Sequence, residues 1–236
     1  MFFKTGGGYL CKIQNYEKKI MKLLYKPILC AAFCIAMQNC SIVTTIYHNT
    51  DKKQTRIVLN DGSEIEGKTV LPKNAQKKVR VTTPDGQKIK LLSTDIATMC
   101  LYKEKYPENQ SFFQYMPYDI WRNKKKEWYE MGSRWMPVEA VGDNIAVFTL
   151  GDWYQMSAKG ELSVFCRGGS ILYIVRKADD TSGKCVGSYM NKSRFYKKDL
   201  MEYLSDDADL CRMIEEGDIE DGDFQAIAEE YAPEKQ

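Results

Sequence analysis

Thr55-Arg56-Ile57-Val58-Leu59-Asn60-Asp61-Gly62-Ser63-Glu64-Ile65-Glu66-Gly67-Lys68-Thr69-Val70-Leu71 decides the class of this fold. A strand-forming run reaches Asp61-Gly62-Ser63, a tight-turn signal, and returns with alternating apolar and polar residues. The same device recurs downstream. Lys77–Thr83 runs into Pro84-Asp85-Gly86 and back through Gln87–Leu92. Proline sets the first corner dihedral and glycine takes the positive one. After the short turn Ser93-Thr94-Asp95, Ile96–Tyr102 supplies a fifth strand. Five short strands with one apolar and one charged face predict a small five-stranded β-barrel over residues 55–103. An open meander is the alternative.

Beyond the barrel, residues 104–134 read as an aromatic linker. Phe112, Phe113, Tyr115, Tyr118, Trp121, Trp128, Tyr129 and Trp135 fall close together, with Arg122 and Lys124–Lys126 beside them. The seven-residue spacing of Trp121, Trp128 and Trp135 suits one face of a helix, although Gly132 and Ser133 oppose a single helix through all three. Strand patterns resume over 135–187 and predict a second antiparallel sheet. Within it Ile171–Lys177 is apolar on both faces and is expected at the centre. From 188 the period turns helical. A first helix is expected from Arg194, a second capped by Ser205-Asp206-Asp207 and stopped by Gly217, and a third over Asp223–Tyr231. The fold class expected is therefore α+β: barrel, linker, second sheet, and an acidic helical tail over 188–236.

Upstream, Met21-Lys22-Leu23-Leu24-Tyr25-Lys26-Pro27 precedes ten apolar residues, Ile28–Met37, and the polar exit Gln38-Asn39-Cys40. That order is an export signal over 21–40, and the apolar run is too short for a membrane-spanning helix. Residues 1–20 then read as an over-long start, with synthesis from Met21. Cys40 is the candidate for lipidation, and cleavage after Ala36 is the competing reading. Residues 41–54, which hold the only histidine, His48, read as a polar tether. The chain carries 34 basic and 32 acidic side chains. Removing residues 1–40 takes six lysines and one glutamate, which leaves a net charge of about −3. Residues 199–236 hold fourteen acids against two bases, whereas 41–198 hold 26 bases against 17 acids. An acidic helical tail packed beside a mildly basic β body accounts for this asymmetry.

Leu59–Gly67, Pro84-Asp85-Gly86, Trp135–Gly142, Phe195–Asp207 and Ile227–Tyr231 resemble pieces of the uncharacterised exported proteins common in Bacteroidota. The resemblance spans most of residues 55–231. It implies an envelope location, periplasmic or at the outer membrane, and this strand-then-helix layout. It brings no catalytic residue to carry over.

The chemistry the chain lacks is informative. A single histidine on a tether removes histidine triads and two-histidine metal sites. Ser157-Ala158-Lys159 and Ser182-Gly183-Lys184 miss serine–lysine spacing, and Asp218–Asp223 puts its glycine one place early for a calcium loop. No metal, cofactor or catalytic residue is assigned. Asp152, beside Trp153 and Tyr154, is the first acid to inspect for carboxylate chemistry. Cys166 and Cys185 are expected as buried free thiols, with a bridge between them as the alternative. The aromatic stretch gives the binding candidates Tyr118, Trp121, Trp128 and Trp135, whose faces suit a glycan or an extended peptide. The function expected is a non-enzymatic envelope module that binds or assembles with another envelope protein or a glycan, with a lipid anchor through Cys40. A glycan-active hydrolase is the alternative. Nucleic acid becomes a partner only if the chain is not exported.

Overall fold

Both turns read from the sequence form. Gly62 and Gly86 take φ of 84° and 86°, the left-handed region that glycine enters without strain. The computed structural model describes residues 50–122, 125, 127–189 and 193–233. The extension 1–20, the signal 21–40, Cys40, His48 and most of the tether lie outside them. The first turn joins β1 (Lys53–Leu59) to β2 (Glu64–Thr69), and the second joins β3 (Lys78–Thr82) to β4 (Lys88–Leu92). A 3-10 turn at Ser93–Asp95 leads into β5 (Ile96–Lys103).

The barrel expected over 55–103 does not close. β1 lies between β2 and β5, and β4 ends the strand order. The free side of β5 is taken by a partner from outside the stretch, Met99 opposite Phe113 and Leu101 opposite Ser111. That partner is β6 (Tyr106–Arg122), which forms a hairpin with β7 (Glu127–Val141). These are the two longest strands, and they occupy the residues expected to be an aromatic linker. A register shift between Pro117 and Asp119 and the positive φ of Gly132 interrupt the alternation. The two sheets expected are consequently one. Eleven strands run in the order β13-β12-β11-β8-β7-β6-β5-β1-β2-β3-β4, and the protein is mostly β.

β8 (Ile145–Leu150) and β11 (Ile171–Lys177) follow β7 in that order, then β12 (Gly183–Tyr189) and β13 (Ser193–Phe195). β11 lies between β8 and β12, in the interior position its apolar faces predict. The ladder also returns on itself. β12 pairs in parallel with β6, Gly183 opposite Tyr118 and Lys184 opposite Asp119, which makes the sheet mixed. Met116, Met136, Phe148, Ile174 and Cys185 form the buried cluster inside this cycle of strands. The interior is narrow: a Cβ at Gly183 would lie 2.4 Å from Cγ2 of Ile174.

A separate hairpin, β9 (Trp153–Met156) with β10 (Leu162–Phe165), lays Tyr154 and Met156 on a second cluster with Ile57, Val81, Phe113 and Trp135. The helices are α1 (Lys197–Tyr203), α2 (Ala208–Glu216) and α3 (Phe224–Glu230). The first starts later than its sequence pattern suggests, because Ser193–Phe195 pairs with β12 as a strand. The carboxylate of Asp207 accepts from the backbone N–H of Leu210, and Gly217 ends α2 at φ 84°. Asp223 caps α3 in the same way through Ala226. Leu200, Leu204, Leu210, Ile214 and Ile227 bury against Val147, Val175 and Val186 on the outer face of the cycle. The approach is close enough that a Cβ at Gly142 would meet the carbonyl oxygen of Ala228 at 1.7 Å. Among the described residues Cys100, Cys166, Cys185 and Cys211 are free.

Candidate functional site

The four aromatic candidates do not share one surface. Trp135 is fully buried, and its indole N–H donates to the Gln76 carbonyl at 3.0 Å and to Ser93 Oγ at 3.1 Å. The Trp135 carbonyl in turn accepts the hydroxyl of Tyr154, whose pKa burial raises. Tyr118 is also buried, inside the cycle of strands, and its phenol pKa is raised by that burial. Only Trp121 and Trp128 keep partial access. They stand opposite each other on β6 and β7 with ring centroids 5.5 Å apart in an edge-to-face contact. The ammonium of Lys184 sits 5.2 Å from the Trp128 centroid and pairs with buried Asp119, which also accepts from Ser182 Oγ at 2.9 Å. This cluster spans the parallel junction of β12 with β6, where the ladder is only two residue pairs long. Its polar groups satisfy one another, so its first role is to hold that junction.

Asp152 is an exposed turn residue. Its carboxylate accepts from the backbone N–H of Arg167 at 2.7 Å and from the Cys166 thiol, which fastens the ends of β9 and β10. Burial, then that carboxylate, holds the Cys166 pKa up. Cys185 lies inside the cycle, where burial pushes its pKa up to about 11.

A different surface collects charge. Strand alternation puts Lys78 and Arg80 of β3 on the same face as Lys88 and Lys90 of β4, with Arg80 directly opposite Lys90. Lys52 joins them by donating to Thr82 Oγ1 at 3.0 Å. A groove of about 530 Å³ is lined by Lys52, Arg80, Lys88 and Lys90 together with Val70, Val81 and Ile89. It adjoins a second, of about 480 Å³, where Lys77 and Lys78 meet the same Arg80 and Lys90. Among the described residues no acidic side chain lines either one. Lys77, Lys78, Arg80, Lys88 and Lys90 form no ion pair with a described residue. The nearest acid in sequence, Asp85 at the hairpin tip, accepts the Thr83 hydroxyl, and that bond holds its pKa down.

Like charges directly opposite on neighbouring strands destabilise a sheet, so this face works against folding and favours anions. A search for compact runs of lysine and arginine passes over it, because the bases alternate with Val79, Val81, Ile89 and Leu91. The signal was the alternation itself, repeated on two strands of one hairpin. No protein-family model, curated protein or solved structure matches the chain.

Proposed function

We propose that this chain is an exported cell-envelope protein, with Cys40 as its candidate lipid anchor, acting as a non-enzymatic binding or assembly module. Its β3–β4 face engages an anionic partner. The observation that carries this reading is the basic face itself, with Arg80 opposite Lys90 and no carboxylate paired to either among the described residues. Several cations gathered on one face of a hairpin concentrate anions by their summed field. A binding role is further supported by the buried acids, which serve structure. Asp119 is committed to Lys184 and Ser182, and Asp207 to the N–H groups of Leu210 and Ala232. Neither leaves a facing pair of carboxylates of the sort that glycoside hydrolysis uses.

Calorimetric titration of the full chain with heparin and with poly-glutamate tests this. Binding is expected to weaken steeply with salt and to be lost in Arg80→Glu/Lys90→Glu. Lys125→Glu, a reversal outside the face, is expected to bind as the unaltered chain does. Binding unaffected by the reversal at Arg80 and Lys90 would refute the assignment of the face.

A further inference from the structure

We propose that the free edge of β4 receives an acidic extended segment of a partner protein as an added strand, with acidic and apolar residues alternating. This rests on the reading of the β3–β4 face as an anion-binding surface. Among the described residues β4 is the last strand of the order and has β3 as its sole neighbour in the ladder. An edge strand turns a row of backbone N–H and C=O groups outward and so offers a template for another strand. Sheet edges of this kind are commonly protected by lysine. Such protection is selective: it repels a strand of the same charge, a second copy of β4 included, and attracts an acidic one.

The side-chain pattern specifies the visitor further. Along Lys88-Ile89-Lys90-Leu91-Leu92, exposed and half-buried residues alternate. Lys88, Lys90 and Leu92 share the outer face, while Ile89 and Leu91 face the core that contains Val79 and Val81 and are only partly covered. Successive same-face residues on any strand are about 6.6–6.8 Å apart, so alternate carboxylates on an added strand fall opposite Lys88 and Lys90. The residues between them then complete the cover over Ile89 and Leu91. Arg80, one strand further in and directly opposite Lys90, supplies a second row of charge. A phosphate or sulfate polymer would use the bases but neither the backbone edge nor the two half-covered apolar side chains. The chain's own acidic tail is engaged elsewhere: its three helices pack on Val147, Val175 and Val186, at the other end of the strand order from β4.

The test uses the full chain and a short soluble peptide alternating glutamate with valine. A control peptide has the same composition with its glutamates consecutive. The alternating peptide is expected to bind on the order of 10-fold more tightly than the control, and to slow hydrogen exchange at the amides of β4. Lys88→Glu/Lys90→Glu should lower that affinity by about 10-fold or more. Lys88→Thr/Lys90→Thr, which keeps strand propensity, should lower it less, and thermal melts of both variants report on folding. Equal binding of the two peptides, or binding without protection of β4, overturns strand addition and leaves an anion-binding face. Binding of heparin or of anionic phospholipid vesicles, but of neither peptide, overturns it in the same way. If no anionic probe binds, this inference and the proposed function both fall.

Discussion

The two ends of the large sheet handle charge in opposite ways. At the helical end acids predominate, and Asp180, Asp206 and Asp207 among them are tied into the structure. Lys177 donates to Asp206 at 2.7 Å, Tyr231 donates to the same carboxylate at 2.8 Å, and Tyr203 donates to Asp180 while accepting the Lys177 backbone N–H at 3.0 Å. The Lys177 ammonium also lies 4.8 Å from the Tyr203 ring centroid. Asp207 caps α2 with one oxygen and holds the Ala232 N–H with the other. At the β3–β4 end the charge is basic, and it meets solvent. One end uses charge to fasten helices to a sheet; the other holds charge that folding does not need. That contrast, more than any single residue, directs attention to the hairpin.

The largest expected effect tests whether the core beneath the hairpin is as well built as the helical end. Trp135→Ala should cost about 3–5 kcal/mol, the range for removing a large buried aromatic. The cavity would adjoin Phe113, Tyr154 and Ile57, and the Gln76 carbonyl would lose its indole donor. Chemical denaturation reads the change. A loss near 1 kcal/mol would mean that this core collapses around the gap and that the hairpin end is the softer of the two.

Next in size is the junction between them. Lys184→Met leaves the Asp119 carboxylate buried with only Ser182 as a hydroxyl donor. Removing one partner of a buried pair costs roughly 3 kcal/mol, whereas replacing both with apolar residues is often close to neutral. Asp119→Leu/Lys184→Met is therefore expected to recover most of the loss. A double variant no better than Lys184→Met would show that the ion pair contributes more than mutual neutralisation, with the Trp128 ring the first place to look.

What the sequence could convey follows from how local each feature is. Asp61-Gly62, Pro84-Asp85-Gly86, the Asp207 cap and the Gly217 stop are each decided within a few residues, and all were legible. Closure of a sheet is not local. Whether β5 turns back to β4 or takes β6 depends on which strand wins its edge, and nothing within Ile96–Lys103 encodes the answer. Trp121, Trp128 and Trp135 misled for a related reason. Seven residues suits a helix face, but here the same interval crosses a hairpin, pairing Trp121 with Trp128 and sending Trp135 to meet Tyr115. The basic face stayed hidden because it assembles from two modest alternations that only strand pairing brings into one plane.

A smaller effect concerns acid. The Asp206 carboxylate is pushed up by partial burial and down, by more, through its bonds from Lys177 and Tyr231, so its folded pKa lies below the ordinary value. A depressed carboxylate contributes stability that is full above the unfolded pKa, about 3.9, and is lost as pH falls through the folded value. Wild type should therefore exceed Asp206→Asn in stability at pH 5, and the gap should narrow below about pH 3.9. Thermal melts followed by circular dichroism at several acidic pH values check this. A gap that stays constant with pH would assign the difference to packing around Lys177 and not to charge.

The smallest effect is the most telling about the hairpin, because its sign is unusual. Most substitutions destabilise, and exposed ones by little. Lys90→Thr should instead be neutral or raise stability by about 0.2–1 kcal/mol, since it removes one of two like charges that stand directly opposite each other. Threonine also suits a strand better than lysine does. The gain should be greatest at low ionic strength and fade toward 1 M salt, where the screening length falls to about 3 Å and the unaltered chain no longer feels the repulsion. The matching change at the helical end, Lys177→Thr, should move the other way, because it takes a donor from Asp206 and leaves Tyr203 without the cation beside its ring. Paired melts of the two variants at low and high salt decide the point. A loss of more than about 0.5 kcal/mol in Lys90→Thr at low salt would mean that the lysine packs usefully where it stands. The basic face would then need no partner to explain it.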